Sequence, residues 1–339
     1  MTVITRILRS PAVGPLVALL LAVVIVSLST NRFLTQQNLS NVALQVSPVA
    51  IAAIGATLVI LTGGIDLSPG AIVALTSCTL AILTKNNDIP IVFSIPMVLL
   101  LGAGLGFVNG FFSTYGRIPS FIVTLASMSI YRGLAFLITS GSPIFSVSPD
   151  LEPLFYGDFV GLPMPFYYVV ALYALTFVFL RYGIMGRAIY AVGGNEAAAR
   201  LSGIRVNQTR MITFVLAGLT SAIAGVLTTA RLDSGSPNYG VGTELQAIAA
   251  AVIGGASLAG GSGNIISTLF GALTVAVVQN GLNLNIVPAS WQEITLGSII
   301  VLAVGVDMWR ASVSRRLGRI AALFMPAGNR QPEKAKGSP

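Results

Sequence analysis

The length of its apolar runs constrains this chain more than anything else. About 20 mostly apolar residues carry a helix across the hydrocarbon core of a bilayer. The sequence holds ten such stretches, at about 12–29, 42–62, 67–84, 90–113, 119–139, 164–181, 209–230, 244–261, 264–286 and 291–308. Composition closes off a soluble alternative: 54% of the 339 residues are hydrophobic and only 9% are charged, where soluble domains carry about 25% charged residues. Runs of this length specify helices; a membrane barrel would show alternating segments of about ten residues. The expected fold class is therefore all-α, a polytopic transmembrane helical bundle of about ten spans. The third and eighth are short or interrupted by glycine, as in broken or re-entrant helices.

Charge gives the orientation. With the N-terminus inside, 15 of the 19 Lys and Arg residues fall on the cytoplasmic side, among them Arg6, Arg9, Arg187, Arg200, Arg210 and Arg310. Arg32, Lys85 and Arg231 fall outside, and Arg132 lies within a span. The positive-inside rule then places both termini in the cytoplasm. A rival reading takes the first run, behind Arg6 and Arg9, as a signal peptide; the orientation of the later spans is the same either way. The chain divides into one transmembrane domain, residues 1–310, with an inner loop at about 182–208, and a basic cytoplasmic tail, 311–339. That tail reads as partly disordered, either a contact for anionic lipid or a simple stop-transfer anchor.

The chemistry the sequence lacks excludes several function classes. It has no histidine, one cysteine (Cys78) and three lysines, so multi-thiolate metal sites and imidazole general bases are ruled out. No phosphate-binding loop is present, and Gly260-Gly261-Ser262-Gly263 is followed by Asn264 where a nucleophile elbow needs glycine. The in-span acids Asp66, Glu244, Glu293 and Asp307 all sit near predicted span ends, which argues against an ion-coupled transporter with buried carboxylates. Uphill movement of a solute would draw its energy from a partner, and no enzyme activity, metal or bound cofactor is expected.

The inner loop holds a candidate docking helix. Asn195 is a good N-cap, Glu196 suits the first turn, Ala197, Ala198 and Ala199 favour helix, and Gly203 is placed to end it. Ala197, Leu201 and Ile204 form one small apolar face, with Arg200 beside it. A helix of about two turns is unstable alone and must pack either on this protein or on a soluble partner.

Two glycine-rich segments, Gly63-Gly64-Ile65-Asp66-Leu67-Ser68-Pro69-Gly70 and Gly254–Gly261, share a G-G-x-[DS]-L-[SA]-x-G pattern. Chance and an internal duplication both account for it. Glycine-interrupted spans in corresponding positions often mark a solute path, which makes Gly63, Gly64, Asp66 and Ser68 path candidates, together with the amides of Gln246, Asn280 and Asn283. Asp66 reads as a cap on the third span, bonded to Ser68, or as a gate. The amides read equally as helix–helix hydrogen bonds. Gly102, Gly106 and Gly110 make a close-packing face on the fourth span, internal or at a dimer interface.

The segment from Gly193 to Ile204 resembles the coupling loop of ribose-type permeases of ATP-binding cassette importers. Gly63–Ser68, Ala247–Gly255 and Gln279-Asn280-Gly281-Leu282-Asn283 are similar to other motifs of that family, and the resemblance runs from the second span to the tenth. The resemblance implies an inner-membrane subunit that carries a monosaccharide from periplasm to cytoplasm. It also implies three partners: a cytoplasmic ATPase that holds the ATP and magnesium, a periplasmic sugar-binding protein, and a second permease subunit, either identical or a sister. It places docking on Glu196, Ala197, Ala198 and Gly203. A Leu-Pro pair typical of the wider importer signature is replaced by Arg205-Val206-Asn207. Related permeases for a nucleoside, amino acid or furanone signal, and a self-sufficient secondary transporter, stand as alternatives.

Overall fold

A computed structural model of the chain describes residues 12–305. The described residues are largely helical, and every one of the ten apolar runs contains a helix. The helices are α1 (Val13–Ser29), α2 (Gln36–Leu61), α3 (Pro69–Ala81), α4 (Ile91–Thr114), α5 (Ser120–Ile138), α6 (Leu151–Tyr156), α7 (Met164–Tyr182), α8 (Ile184–Gly194), α9 (Glu196–Leu201), α10 (Val206–Leu232), α11 (Thr243–Ile253), α12 (Ile265–Leu284) and α13 (Ala289–Gly305). Six of them, α2, α4, α5, α7, α10 and α12, are long and apolar enough to cross a membrane. The basic tail and the first basic residues, Arg6 and Arg9, lie outside the described residues.

Local signals set the boundaries. Thr35 caps α2 by accepting from the Asn38 N–H at 3.4 Å. Pro90, Pro119 and Pro163 immediately precede α4, α5 and α7 in extended backbone, a conformation that suits a residue with fixed φ and no N–H to place. Two antiparallel pairs of two-residue strands, β1 (Ile144–Phe145) with β4 (Ser234–Gly235) and β2 (Asp158–Phe159) with β3 (Leu162–Pro163), staple the connections near α6.

The core forms around α2 and α10. From Ala50 to Leu61 every residue of α2 is buried, and a helix apolar all round belongs at the centre of a bundle. The apolar windows of α4, α5 and α7 are 22–28% buried, against 78% for α2, so these three form the rim with one face left for lipid. α4 crosses α10 at close quarters. A Cβ on Gly106 would overlap the Phe214 carbonyl, and one on Gly102 would meet Ala222 and Gly218. The glycine face of the fourth span is therefore used internally, the commonest use of small residues between membrane helices.

One helix, α11, is too short to cross. At about 1.5 Å per residue, its 11 residues span about 16 Å, against a hydrocarbon core of about 30 Å, whereas the 13 residues of α3 continue without a break into a π-helical turn, Ile82–Asn86. Their N-terminal ends meet, because a Cβ on either Gly70 or Gly240 would overlap the other's carbonyl oxygen. Each follows a long helix and a non-helical link: α2 through 62–68, α10 through the turns of 233–242. The second link runs along α3, with Gly235 against Ala81 and Gly240 against Val73. This arrangement corrects two expectations. The eighth span ends at Ile253, where Gly254 begins a non-helical stretch to Asn264. The two glycine segments do not occupy corresponding places either, since 63–70 leads into α3 and 254–261 leaves α11.

Candidate functional site

The docking helix predicted at 195–204 forms as α9. Asn195 Oδ1 accepts from the Ala198 N–H at 3.0 Å, satisfying one of the orphan donors of the first turn. At the other end Gly203 adopts φ +81°, where residues with a side chain are strained, and the Ile204 N–H returns to the Ala199 carbonyl at 3.0 Å. The sequence leaves open which face turns inward. Ala199 packs with Val192 and Val206, with Ile204 alongside, while Ala197 and Ala198 are exposed and Leu201 is 91% exposed. The helix thus uses one alanine to hold the protein and leaves Ala197, Ala198 and Leu201 open.

Glu196 carries both ion pairs found among the described residues. Its Oε1 lies 2.9 Å from Arg200 and its Oε2 2.9 Å from Arg210. The hydrogen bond from Arg200, aided by the Arg210 charge, holds the Glu196 carboxyl below the usual carboxylate range despite some desolvation. Arg200 sits within α9, whereas Arg210 belongs to α10, so Glu196 ties the short helix to a central one. Arg210 was counted in the sequence only as a cytoplasmic cation. Its role depends on how the 201–206 turn folds back, which no helical spacing encodes.

Behind α9 three glycine pairs converge. A Cβ on Gly193 would overlap the Leu61 carbonyl and come within 2.5 Å of the Gly261 N–H nitrogen, and one on Gly260 would reach the Gly63 backbone at 2.9 Å. The Gly261 N–H donates to the Leu61 carbonyl at 2.9 Å. Gly63-Gly64, Gly193-Gly194 and Gly260-Gly261 thus form one backbone-to-backbone junction joining the ends of α2 and α8 with the 254–264 turn. From Gly63 the chain runs extended to Asp66, which is 3% exposed. Asp66 Oδ1 accepts from the Ser68 N–H at 2.8 Å and the Ser68 hydroxyl at 2.6 Å, the capping geometry expected of it. Asn109 Nδ2 donates to Ser68 Oγ at 2.8 Å, and the Tyr131 hydroxyl lies 3.1 Å from Asn109 Oδ1. A buried polar chain therefore links the 62–68 segment to α4 and α5.

The other amides separate. Asn280 and Asn38 exchange reciprocal side-chain hydrogen bonds of 2.9 and 3.0 Å, joining α12 to α2. Asn283 accepts from Gln292 Nε2 at 2.8 Å near the surface. Gln246 is half-buried on the first turn of α11. Neither Asn280 nor Asn283 adjoins Asp66. Among the described residues no three His, Cys, Asp or Glu side chains converge as metal ligands would.

A polar cavity of about 670 Å³ opens between α9, the 62–65 turn and the α4–α5 turn, lined by Gly63, Gly64, Arg117, Glu196, Arg200 and Arg210 among others. It brings the start of the 62–68 segment to within one cavity of the α9 ion pairs.

The family model for the permease component of branched-chain amino acid transport systems matches residues 38–304. The chain is similar to the ribose import permease protein RbsC of Escherichia coli (strain K12), with 44% identity over 86% of this chain and 92% of the relative. It is similar to the protein of the same name in Bacillus subtilis (strain 168), with 41% identity over 87% and 92%. It also resembles the D-allose transport system permease protein AlsC of Escherichia coli (strain K12), with 37% identity over 83% and 86%. No solved structure matches the chain.

Proposed function

This chain belongs to the family of permease components of branched-chain amino acid transport systems, and from that membership we propose that it is the membrane subunit of an ATP-driven importer for a monosaccharide. The sugars named for its relatives, ribose and allose, support a pentose or hexose as cargo. In this reading a periplasmic binding protein delivers the sugar and a cytoplasmic ATPase supplies ATP, magnesium and energy. Two permease subunits, identical or sister, enclose the path in a bacterial inner membrane. All ten apolar helices traverse or enter the bilayer, α11 as a half-span, and both termini face the cytoplasm. A path running past the meeting point of α3 and α11, near Asp66 and Gln246, fits the rule that irregular backbone at membrane depth lines a protein-covered or wet cavity.

The observation that carries the docking assignment is the α9 geometry: an exposed Ala197, Ala198 and Leu201 face on a helix clamped to α10 through Glu196 and Arg210. An ATPase seated there moves α9, and the ion pair passes that movement into the central helix. Reconstitution of the chain with its ATPase and binding protein in liposomes tests the reading. Sugar uptake is expected to require both partners and ATP. Glu196→Lys should still assemble but hydrolyse ATP without uptake. Uptake by the chain alone would overturn the reading in favour of a secondary transporter.

A further inference from the structure

The cavity beneath α9 carries charge for which a neutral cargo has no use. Arg117, Arg200 and Arg210 line it against the single carboxylate Glu196, three cations less one anion, leaving two positive charges in excess. Arg200 and Arg210 each commit one contact to Glu196. Arg117 makes no hydrogen bond or ion pair with any described residue, and its backbone sits at φ +56°, a conformation costly for a side-chain-bearing residue that concentrates at functional turns. Asn207 adds an amide, and Ser120 and Phe121, the first residues of the 19-residue α5, open its N-terminal end onto the same space. Guanidinium groups, an amide and a helix N-terminus form a donor set for a multiply charged oxyanion. A volume of about 670 Å³ falls in the range of small-molecule sites.

We propose that this cavity binds a phosphate monoester, with Arg117 and Arg210 on its anionic oxygens, and that occupancy draws Arg210 away from Glu196. The inference rests on the transport reading, in which α9 is the docking helix and the cavity faces the cytoplasm. Under it, an imported sugar that has been phosphorylated inside the cell loosens the clamp between α9 and α10 and slows its own import. The same phosphate chemistry is offered by a soluble sugar monophosphate and by the headgroup of phosphatidic acid in the inner leaflet.

The test uses the full chain in nanodiscs of phosphatidylcholine alone, titrated with a hexose monophosphate, inorganic phosphate and the parent neutral sugar. Saturable binding of the ester and none of the neutral sugar is expected, weakening with salt. Arg117→Gln should weaken it about tenfold or more, the loss of one charge-assisted contact, and Asn207→Ala by less. Phosphatidic acid in the nanodisc that competes with the ester would support the phosphate site and assign the headgroup as its occupant. In proteoliposomes of the complete transporter, ester sealed on the ATPase side should slow ATP-driven uptake in the wild type and much less in Arg117→Gln. Absence of saturable binding, or equal affinity in both variants, would overturn the proposal. So would loss of binding once the ATPase is assembled, which would give the arginines to an acidic side chain of that partner. Failure of the transport reading would appear separately, as uptake without ATP.

Discussion

Glu196 shows how one carboxylate serves two elements. With Arg200 alone it would be an ordinary surface i,i+4 pair, of little consequence for stability; with Arg210 added it fixes the orientation of α9 against α10. Its carboxyl is held below its ordinary 4.5, chiefly by the Arg200 hydrogen bond and then by Arg210. A depressed folded value means that the clamp contributes fully above the unfolded value and is lost as pH falls through the folded one. A spin label on Ala198 should thus keep its mobility from pH 7 to 5 and become mobile only below the ordinary carboxylate range; loosening at pH 6 would contradict the assignment. Asp66 is the other residue whose neighbours define it. Asp66→Ala leaves the buried Ser68 N–H and hydroxyl without their acceptor, a loss of about 1–3 kcal/mol readable as a lower thermal midpoint. Asp66→Asn retains an acceptor and should keep most of that stability. If Asp66→Asn nonetheless abolishes uptake, the carboxylate acts on the path as well as in the cap. The sequence disclosed the Asp66–Ser68 cap because its partners are two residues apart. It could not disclose Asn109 and Tyr131, 41 and more residues downstream.

At the scale of elements, glycine decides what can touch. The junction of the three glycine pairs brings backbone to backbone, so the space for a Cβ differs sharply between neighbours. On Gly193 it would overlap the Leu61 carbonyl, whereas on Gly194 it would meet nothing within 4 Å. Gly193→Ala should therefore destabilise the purified protein by about 1–3 kcal/mol or more and disturb α9, while Gly194→Ala should leave the thermal midpoint nearly unchanged. Equal effects would show that the junction relaxes at no cost. The sequence marked two of these pairs through the shared letters of 63–70 and 254–261 and left chance and duplication open. In the fold 63–70 precedes α3 as 233–242 precedes α11, and the latter segment spaces its glycines differently, at Gly235, Gly240 and Gly242. The sequence left open which side of α9 faces the protein. A six-residue helix has too few positions for its periodicity to tell which side faces the protein, and Ala199 rather than Leu201 fits the narrow space beside Val192 and Val206.

At the scale of the whole molecule, α2 and α10 form a buried centre around which the rim helices pack, and polar pairs tie distant segments together. The reciprocal amide pair of Asn38 and Asn280 joins the start of α2 to the end of α12 across 242 residues. Replacing either with Leu strands a buried amide, while replacing both removes the mismatch, so each single variant should lose about 1–2 kcal/mol and the double variant less than the sum. Thermal unfolding of the four proteins in one detergent measures this, and strict additivity would deny the coupling. By itself the sequence determined the all-helical membrane class, the approximate places of the apolar helices, the capped helix at 195 and the family, because apolar length, caps and contiguous motifs are local properties written in order along the chain. Tertiary structure alone decided that α11 is half-length and meets the N-terminus of α3, that Gly102, Gly106 and Gly110 face α10, and that Arg210 completes the ion pair of Glu196. Those outcomes depend on which surfaces approach closely enough to exclude a side chain or join two charges, and such distances arise only when segments far apart in sequence compete for the same space.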